Sequence, residues 1–484
     1  MQVLIISTNR ERSPYPVAPV GAMAVASAAR AAGHCVDLLD VMFAFSPRRA
    51  VRAALRAKRY DVVAFGIRNL DNASYTHSYS YFNDTREIVA AAQESCDAPM
   101  VLGGSGFSMA PRQWLERLNV PYGVVGEGEG PFLALLDCLA RDADPSALPG
   151  VVCRPATAGP SPPPPLPTST LTPHTSPLTP HPSFSPVVPE FHGPDDFNGC
   201  SYRRYLRRGG FVSVQTKRGC PFSCTFCTYP YLEGSTWRCR PPERIVEEIE
   251  RASRAYPRCS VFFTDSVFNT PREYALDLCR RLADLPVRVP WMAYCNPVGL
   301  DEELATAMLL AGCVGIELGF DAVSDPMLAS LGKPFTRADI SNCLDALSKL
   351  RLPHAIHLMF GGPGDTVDEI RDAARFLDAY RRPKAVFASL GVRVYSNTRI
   401  HRTACEEGVI SPDADLFAPV YYVSPKLGPN PLAALDEVAR ARPKWSTPTD
   451  WARWRLIFLQ QLMSRVGSRP QWRHMRRYGE YFRH

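Results

Sequence analysis

The amino-acid sequence predicts an α/β fold in which two modules of alternating strands and helices are joined by a proline-rich linker. Three observations support this prediction. Short apolar runs of strand length recur between helical patterns from residue 3 to residue 125, which is typical of a doubly wound parallel sheet. The same alternation resumes at residue 210 and continues to residue 391. Between the modules, residues 155–189 contain repeated Thr-Pro and Ser-Pro steps, so no packed element is expected there.

The composition is that of a globular chain with several domains. Its 484 residues, of which 45% are hydrophobic and 21% charged, are enough for two or three domains. The formal net charge of +7 is spread along the chain, so we expect no nucleic-acid partner. No apolar run is long enough to cross a bilayer. Fifteen cysteines without a signal peptide indicate a reducing compartment, and a cytoplasmic location is expected.

In the first module, five strands are predicted at residues 3–7, 36–40, 61–67, 100–103 and 123–125. An alanine-rich helix over residues 20–32 follows the first strand. A second helix begins after Ser46, which is a suitable N-cap because Pro47 stands at the first helical position.

Unusual residues follow the third, fourth and fifth of these strands. Ligands of doubly wound sheets bind at the carboxyl ends of the strands, and glycines there allow a ligand to approach the backbone closely. A nucleotide site or a plain turn would use similar residues. The candidates in the three segments RNLDN, GGSGFS and GEGEG are Arg68, Asn69, Gly103, Gly104, Ser105, Gly106, Gly126, Glu127 and Gly128.

Three cysteines follow the first predicted strand of the second module. Cys220, Cys224 and Cys227 have C-x3-C-x2-C spacing within the segment TKRGCPFSCTFCTYP. Thiolates this close in sequence converge on one centre when the loop holds a metal ion or a cluster. A structural zinc site uses four ligands, whereas three thiolates leave one iron of a four-iron cluster open. A zinc knuckle with Cys239 as fourth ligand is the alternative, although a second tight Cys or Cys/His pair is absent.

This spacing, with Phe226 before the last cysteine, resembles the radical S-adenosylmethionine (SAM) superfamily. The resemblance implies a [4Fe-4S] cluster on Cys220, Cys224 and Cys227, with SAM chelated at the open iron and cleaved reductively. It also implies a partial (β/α)6 barrel that is open on one side to admit substrate. Its strands are predicted at residues 210–215, 260–264, 291–295, 315–320, 354–360 and 385–390, with active residues at the strand ends.

The same resemblance supplies candidates for SAM contacts. Carboxylates near the fourth strand would accept hydrogen bonds from the hydroxyl and ammonium groups of SAM, and a glycine-rich segment after the fifth strand would lie beside the adenine. A strand-end salt bridge and a tight turn are the structural alternatives. After the second strand, the superfamily's usual pair of glycines and a glutamate is not evident, and Asp265 is a candidate in that region instead. The full set of candidates is Phe226, Asp265, Glu317, Asp321, Ser324, Gly361, Gly362 and Pro363. Arg393 and Tyr395, at the end of the barrel, are further candidates for its cavity.

Together with the cysteine motif, the first module resembles the cobalamin-binding domain of cobalamin-dependent radical SAM enzymes. The glycine-rich segments at the strand ends carry this resemblance. The loop 8–19 contains no histidine, so the cobalt would receive no histidine ligand from it. The resemblance places Arg68 near the lower face of the corrin, where a cation would disfavour water coordination and ease methyl release. The structural alternative for Arg68 is a salt bridge to Asp71 or Glu127.

These resemblances imply a cobalamin-dependent radical SAM enzyme, and we expect a methyltransferase acting on an unactivated carbon of a small-molecule, lipid or peptide substrate. An electron donor of the flavodoxin or ferredoxin type is the expected partner. The expected domains are a cobalamin-binding domain at 1–153, a linker at 154–199, a radical SAM barrel at 200–405, and a C-terminal cap at 406–484 whose clearest helix is predicted at 451–466.

Two alternatives to this function stay open. The same modules could support rearrangement, cyclisation or a non-radical methyl transfer. A non-catalytic cobalamin sensor or scaffold would instead make the cysteine triad dispensable.

Overall fold

The structure is a computed structural model that describes residues 1–155, 202–396, 398–451, 470 and 472. Apart from short ends, the predicted linker at 154–199 and the predicted helix at 451–466 lie outside these residues. None of the described helices is long and apolar enough to cross a membrane.

The first module is a six-stranded sheet with the order β2-β1-β3-β4-β5-β6. The first five strands pair in parallel, and the sixth is antiparallel to the fifth. The strands are β1 Gln2–Ser7, β2 Cys35–Asp40, β3 Val62–Gly66, β4 Met100–Gly103, β5 Tyr122–Val124 and β6 Val151–Cys153. The helices are α1 Val20–Ala31, α2 Pro47–Ala57, α3 Phe82–Gln93, α4 Ser105–Ser108, α5 Pro111–Leu118 and α6 Glu129–Ala140.

Both faces of this sheet are buried, as the uniformly apolar strands predict. In β1, Val3 and Ile5 belong to one hydrophobic cluster, which includes residues of α1 and α6. Leu4 and Ile6 belong to a second cluster with residues of α2, α3 and α5. The carboxyl ends of the strands, where the predicted binding segments lie, are therefore the part of the sheet that helices leave uncovered.

The second module is a seven-stranded parallel sheet with the order β17-β14-β13-β12-β11-β10-β7, in which the first six strands in the chain form the predicted partial barrel. Two small antiparallel sheets, β8–β9 and β15–β16, accompany it. The strands of the module are β7 Val212–Val214, β8 Lys217–Arg218, β9 Arg238–Cys239, β10 Val261–Phe263, β11 Trp291–Cys295, β12 Cys313–Asp321, β13 His354–Phe360, β14 Ala385–Leu390, β15 Val392–Arg393, β16 Tyr421–Tyr422 and β17 Trp445–Ser446.

Helices cover the outer face of this barrel. They are α7 Tyr202–Leu206, α8 Tyr229–Glu233, α9 Pro242–Ala255, α10 Arg272–Ala283, α11 Glu302–Leu310, α12 Asp325–Ser330, α13 Arg337–Lys349, α14 Val367–Asp378, α15 Arg399–Glu406, α16 Pro431–Arg440 and α17 Pro448–Trp451. In β12, Ile316 and Leu318 pack outward into the core under the helices. Glu317, between them, therefore points into the barrel.

The predicted fold class is confirmed, and strands β4, β11, β13 and β14 have the predicted bounds. The predicted helix after Ser46 also begins there, because the Ser46 side chain accepts a hydrogen bond from the backbone N–H of Arg49. Strands β6 and β17 and the two small antiparallel sheets were not predicted. They have only two or three residues each, which is too short for a recognisable hydrophobic period.

The two modules pack directly against each other. The hydroxyl of Tyr205, in α7, donates to Asp40 at the end of β2 over 2.7 Å. From the other end of the second module, Phe417 enters a core cluster of the first module. Its ring centroid lies 5.0 Å from Trp114 and 5.4 Å from Phe82. These contacts fix the carboxyl edge of the first sheet relative to the barrel.

Candidate active site

The loop that carries the three cysteines runs from β8 to α8 and is tied to the barrel by backbone hydrogen bonds. The N–H of Cys220 donates to the carbonyl of Gly234 over 2.9 Å. The N–H of Thr225 donates to Leu331, the residue that ends α12, over 2.9 Å, and its carbonyl accepts from Ile400 over 3.0 Å. The loop is therefore held between the end of α8, α12 and α15.

The three thiols lie in a desolvated pocket beside one buried amine. Burial raises the pKa of each thiol, to about 12 for Cys227, and the charge of Lys333 opposes the rise in all three. Burial lowers the pKa of Lys333 itself, but Asp321 and the neighbouring cysteines outweigh this effect and the pKa is raised. Lys333 pairs with Asp321 and lies 5.5 Å from the ring centroid of Phe226. A buried cation beside three thiols favours an anionic group at this position.

The donor set fits an iron–sulfur cluster. Among the described residues, no three Cys, His, Asp or Glu side chains are arranged around a single metal ion. Cys239, the fourth ligand of the alternative zinc knuckle, is exposed, whereas Cys220 is buried. Three cysteine ligands are what a four-iron cluster with one open iron requires, since its thiolates bind different iron atoms.

The glycine-rich segment after β13 lies against the end of α12, next to the cysteine loop. The hydroxyl of Ser330 donates to the carbonyl of Pro363 over 2.6 Å. A Cβ at Gly362 would lie 2.9 Å from Leu331, whose carbonyl also binds the cysteine loop. Gly361 has φ +93°, a backbone conformation that favours glycine. The structure thus brings these three predicted SAM contacts and the cysteine loop together at one turn.

Two other predicted SAM contacts have structural roles. The buried carboxylate of Asp265 accepts hydrogen bonds from Thr216 N at 2.7 Å, Thr216 Oγ1 at 2.5 Å and Lys217 N at 3.2 Å. Ser324 is the N-cap of α12 and accepts from Met327 N at 3.4 Å. These hydrogen bonds hold the segment after β7 and the start of α12, and contact of either side chain with SAM stays a prediction.

Glu317 and Asp321, predicted together, occupy two different levels of the barrel. Asp321 lies at the mouth with Lys333. Glu317 lies deeper, where its Oε2 is 2.9 Å from Nε2 of His357 and its Oε1 accepts from the indole N–H of Trp472 at 3.0 Å. Glu317 thus has the partners that a buried carboxylate needs, and its contacts face the floor of the cavity rather than the cysteine loop.

At the carboxyl edge of the first sheet, the predicted cobalamin segments contact each other through their backbones. Gly104 has φ +97°, and a Cβ there would lie 2.5 Å from a carbonyl oxygen at the end of β3. A Cβ at Gly106 would lie 2.6 Å from the backbone of Asn69. The hydroxyl of Ser105 donates to the carbonyl of Arg68 over 2.6 Å. Glycine is required here because the loops approach each other more closely than a side chain allows.

The fourth and fifth strands end in the same group of loops. Gly126 has φ +76° and donates its N–H to the hydroxyl of Ser108 over 2.9 Å. A Cβ at Gly128 would lie 2.9 Å from a methyl group of Val25, whereas one at Gly103 would make an ordinary contact at 3.6 Å. The loops after the fourth and fifth strands therefore pack together at the edge of the sheet.

Two buried donors at this edge lack partners. Nδ2 of Asn9 and Nε of Arg10, in the loop after β1, have no hydrogen-bond partner within the described ranges. Buried donors are normally satisfied, so this loop fits a bound group that is rich in acceptor oxygens, such as the amide side chains of cobalamin.

The salt bridge considered as the alternative for Arg68 is not formed. Asp71 instead pairs with Arg393 at 2.8 Å, and Glu127 pairs with Arg238. The guanidinium of Arg68 is exposed and has no hydrogen-bond or ion-pair partner among the residues that the structure describes. Glu127, predicted as a cofactor contact, therefore serves the contact between the modules, while Arg68 stays free.

The charge of Arg68 acts on a tyrosine of α8, which follows the cysteine loop, and on a tyrosine of the barrel. Desolvation raises the pKa of Tyr229, two residues after Cys227, and the charge of Arg68 opposes this shift. The charge of Glu317 and desolvation raise the pKa of Tyr294 on β11, and Arg68 opposes that shift too. Arg68 is thus near both the helix that follows the cysteine loop and the inner face of the barrel.

Sequence reasoning missed several residues of this site. The residues are Asn9, Arg10, Arg218, Arg238, Tyr294, Lys333, His357 and Trp472. Single polar residues between apolar neighbours carry no spacing signal of their own. His357 could have been found from the sequence. It stands between Ile356 and Leu358 within the predicted strand at 354–360, and a polar residue there breaks the apolar pattern of a buried strand.

Comparison with known families identifies both modules. Residues 214–377 match the Radical SAM superfamily, and residues 6–136 match the B12 binding domain. Tryptophan 2-C-methyltransferase from Streptomyces laurentii is 28% identical over 418 residues, which cover 76% of this chain and 69% of that protein.

Solved structures share the fold over nearly the whole chain. The radical S-adenosylmethionine methyltransferase TsrM from Kitasatospora setae, solved with cobalamin and a [4Fe-4S] cluster, has a TM-score of 0.83 at 22% identity, covering 99% of this chain and 98% of that one. It has also been solved with tryptophan substrate and a SAM analog. The cobalamin-dependent radical enzyme OxsB has a TM-score of 0.67 at 15% identity, covering 96% of this chain and 72% of that one.

Proposed function

Because this chain is a cobalamin-dependent radical SAM enzyme of the methyltransferase type, we propose that it methylates a ring carbon of a tryptophan-like aromatic substrate. Its cofactors are a [4Fe-4S] cluster, SAM and cobalamin. When bound, they supply an activated methyl group. The chain's own residues must hold these groups and the substrate around one cavity and keep water out.

The observation that carries this proposal is that the edge of the first sheet, which carries the exposed Arg68, is held directly against the cysteine loop. Glu127 and Glu129, on the same edge as Arg68, form ion pairs with Arg238 and Arg218, which flank the cysteine loop. A corrin on that edge would therefore meet the substrate and SAM at short range. Arg68 would lie beneath it as an unpaired cation that disfavours an additional ligand on the cobalt.

Each remaining candidate then has a defined task. Cys220, Cys224 and Cys227 would bind the cluster, and Lys333 would compensate its negative charge. The segment Gly361–Pro363 would lie beside the adenine of SAM, and Asp321 would accept hydrogen bonds from its polar groups. An electron donor of the flavodoxin or ferredoxin type would reduce the cluster from outside.

An aromatic substrate is supported by the named activity of the relative from Streptomyces laurentii and by the lining of the barrel. The inner face carries the rings of Tyr294, His357 and Phe387 on three strands. An aromatic C–H bond is stronger than the alkyl C–H bond that a deoxyadenosyl radical would form. This substrate class therefore favours polar methyl transfer over hydrogen abstraction from an unactivated carbon.

The test is to purify the chain without oxygen and with cobalamin, count iron, sulfide and cobalt, and then supply SAM and tryptophan. We expect methyltryptophan and S-adenosylhomocysteine, with little deoxyadenosine. Deoxyadenosine in proportion to a methylated alkyl carbon would instead indicate the radical route. Zinc in place of iron would contradict the proposal. Full activity after replacing all three cysteines by alanine would favour the sensor or scaffold.

A further inference from the structure

Four polar and aromatic side chains form a row across the inner face of the barrel. Tyr294 on β11 is paired in register with Glu317 on β12, and His357 on β13 is paired with Phe387 on β14. His357 bridges the two pairs: its Nε2 is 2.9 Å from Glu317, and its ring stacks on Phe387 with centroids 4.9 Å apart and planes at 25°. The row lies at the cavity level below Asp321.

We assign the ring proton of His357 from its hydrogen-bond partner. An ionised carboxylate only accepts hydrogen bonds, so Nε2 of His357 donates to Oε2 of Glu317. The other oxygen of Glu317 is occupied by the indole N–H of Trp472 at 3.0 Å. Glu317 is therefore held from both sides. In this tautomer Nδ1 keeps its lone pair, and no described residue donates a hydrogen bond to it.

The imidazole is accessible from the cavity although its anchors are buried. The side chain of His357 is 34% exposed and that of Glu317 only 9%. On β13, the neighbours Ile356 and Leu358 face the outer core, so His357 points inward. An ordered, half-exposed imidazole with a buried carboxylate behind it is the arrangement of a general base with its orienting group.

We propose that His357 is the catalytic proton acceptor of the methyl transfer, that Glu317 is the positioning residue that fixes its tautomer, and that the row selects a planar heteroaromatic substrate. This inference rests on the function proposed above. It also reassigns Glu317, expected from the sequence to contact SAM, to the substrate side of the cavity.

The proposed step balances without an oxidant or reductant. The new C–C bond forms with a pair of ring π electrons, while the electron pair of the broken methyl bond stays on the methyl donor. The substrate ring then carries one positive charge. Its C–H bond breaks, the electron pair restores the aromatic ring, and the proton moves to Nδ1 of His357. Glu317 stabilises the imidazolium through the hydrogen bond at Nε2.

The experiment compares the reconstituted wild-type enzyme with His357→Gln, His357→Ala and Glu317→Gln, using tryptophan and SAM. His34→Gln, in the first module, is the matched control for loss of an imidazole. For His357→Gln we expect kcat to fall about 10²–10⁴-fold, the range that a general base contributes, while KM for tryptophan stays within about threefold. Iron content, the cobalamin spectrum and calorimetric binding of tryptophan to the reconstituted enzyme without SAM should be unchanged.

Two further readouts separate proton transfer from a structural effect. Imidazole in the buffer should restore activity to His357→Ala, which has a vacant space beside Phe387, but not to Glu317→Gln. Tryptophan deuterated at the reacting carbon should show a larger isotope effect in His357→Gln than in the wild type, because removal of the proton becomes slow.

The outcomes separate the two proposals. If the wild type methylates tryptophan and His357→Gln does so at a similar rate, the role of His357 is refuted while the proposed function stands. Failure of imidazole to rescue folded His357→Ala, or loss of tryptophan binding that matches the loss of rate, would also overturn it. If the wild type gives no methylated product, the proposed function itself fails.

Discussion

Replacing Arg393 by methionine should destabilise the contact between the two modules. Arg393 and Asp71 form a buried ion pair at 2.8 Å, with side chains 5% and 0% exposed. The guanidinium also donates to the carbonyl of Leu416 at 3.0 Å. Removing one partner leaves a buried carboxylate without its counter-charge, which costs about 3–5 kcal/mol. At about 2 °C per kcal/mol for a large chain, the first thermal transition should fall by about 6–10 °C.

Differential scanning calorimetry would measure this shift, with Lys349→Met as the matched control. Lys349 also pairs with a carboxylate, Glu302, but both side chains are more than half exposed, so the control should leave the transition unchanged. The double replacement Arg393→Met with Asp71→Leu should recover part of the loss because it removes the unpaired charge. An Arg393→Met protein that melts with the wild type would refute the assignment of this pair as a structural connection.

Three further predictions concern single positions. Cys224→Ala should abolish retention of iron and sulfide after anaerobic reconstitution, whereas Cys35→Ala, with an exposed thiol, should retain both. Gly104→Ala should cost about 1–3 kcal/mol in urea unfolding, since φ is +97° and a Cβ would lie 2.5 Å from a carbonyl oxygen; Gly130→Ala, with nothing within 4 Å, should cost much less. Burial lowers the pKa of His354 to about 4, so the unfolded chain takes up a proton at this position at higher pH than the native protein does. The free energy of unfolding should therefore fall by about 3 kcal/mol as the pH falls from about 6.5 to 4. His354→Asn should flatten that part of a plot of unfolding free energy against pH.

The sequence predicted the elements that have a strong local pattern. The apolar strands β11, β13 and β14 could be located to the residue because runs of branched and aromatic residues end at glycines and prolines. The helix after Ser46 followed from its capping residue. The cysteine spacing located the predicted cluster site of the second module, because loop ligands that are close in sequence are also close in space.

Pairings between distant residues could not be predicted in the same way. The sequence offered Asp71 and Glu127 as partners for Arg68, because these residues are near it in the chain or in the sheet. The structure pairs them with Arg393 and Arg238, more than 100 positions later. The contact of Trp472 with Glu317 spans 155 positions. Such contacts depend on how the modules pack, and no local period or propensity encodes that.

The charged contacts between the modules constrain how such enzymes can be recombined. Carboxylates from the edge of the first sheet, Glu127 and Glu129, meet arginines that flank the cysteine loop, Arg238 and Arg218. A chimera that joins this first module to a foreign barrel would bury these carboxylates without their cations unless both arginines were transferred with it. The unit that can be exchanged between relatives is therefore the sheet edge together with the cysteine loop and the two arginines that flank it, rather than either domain alone.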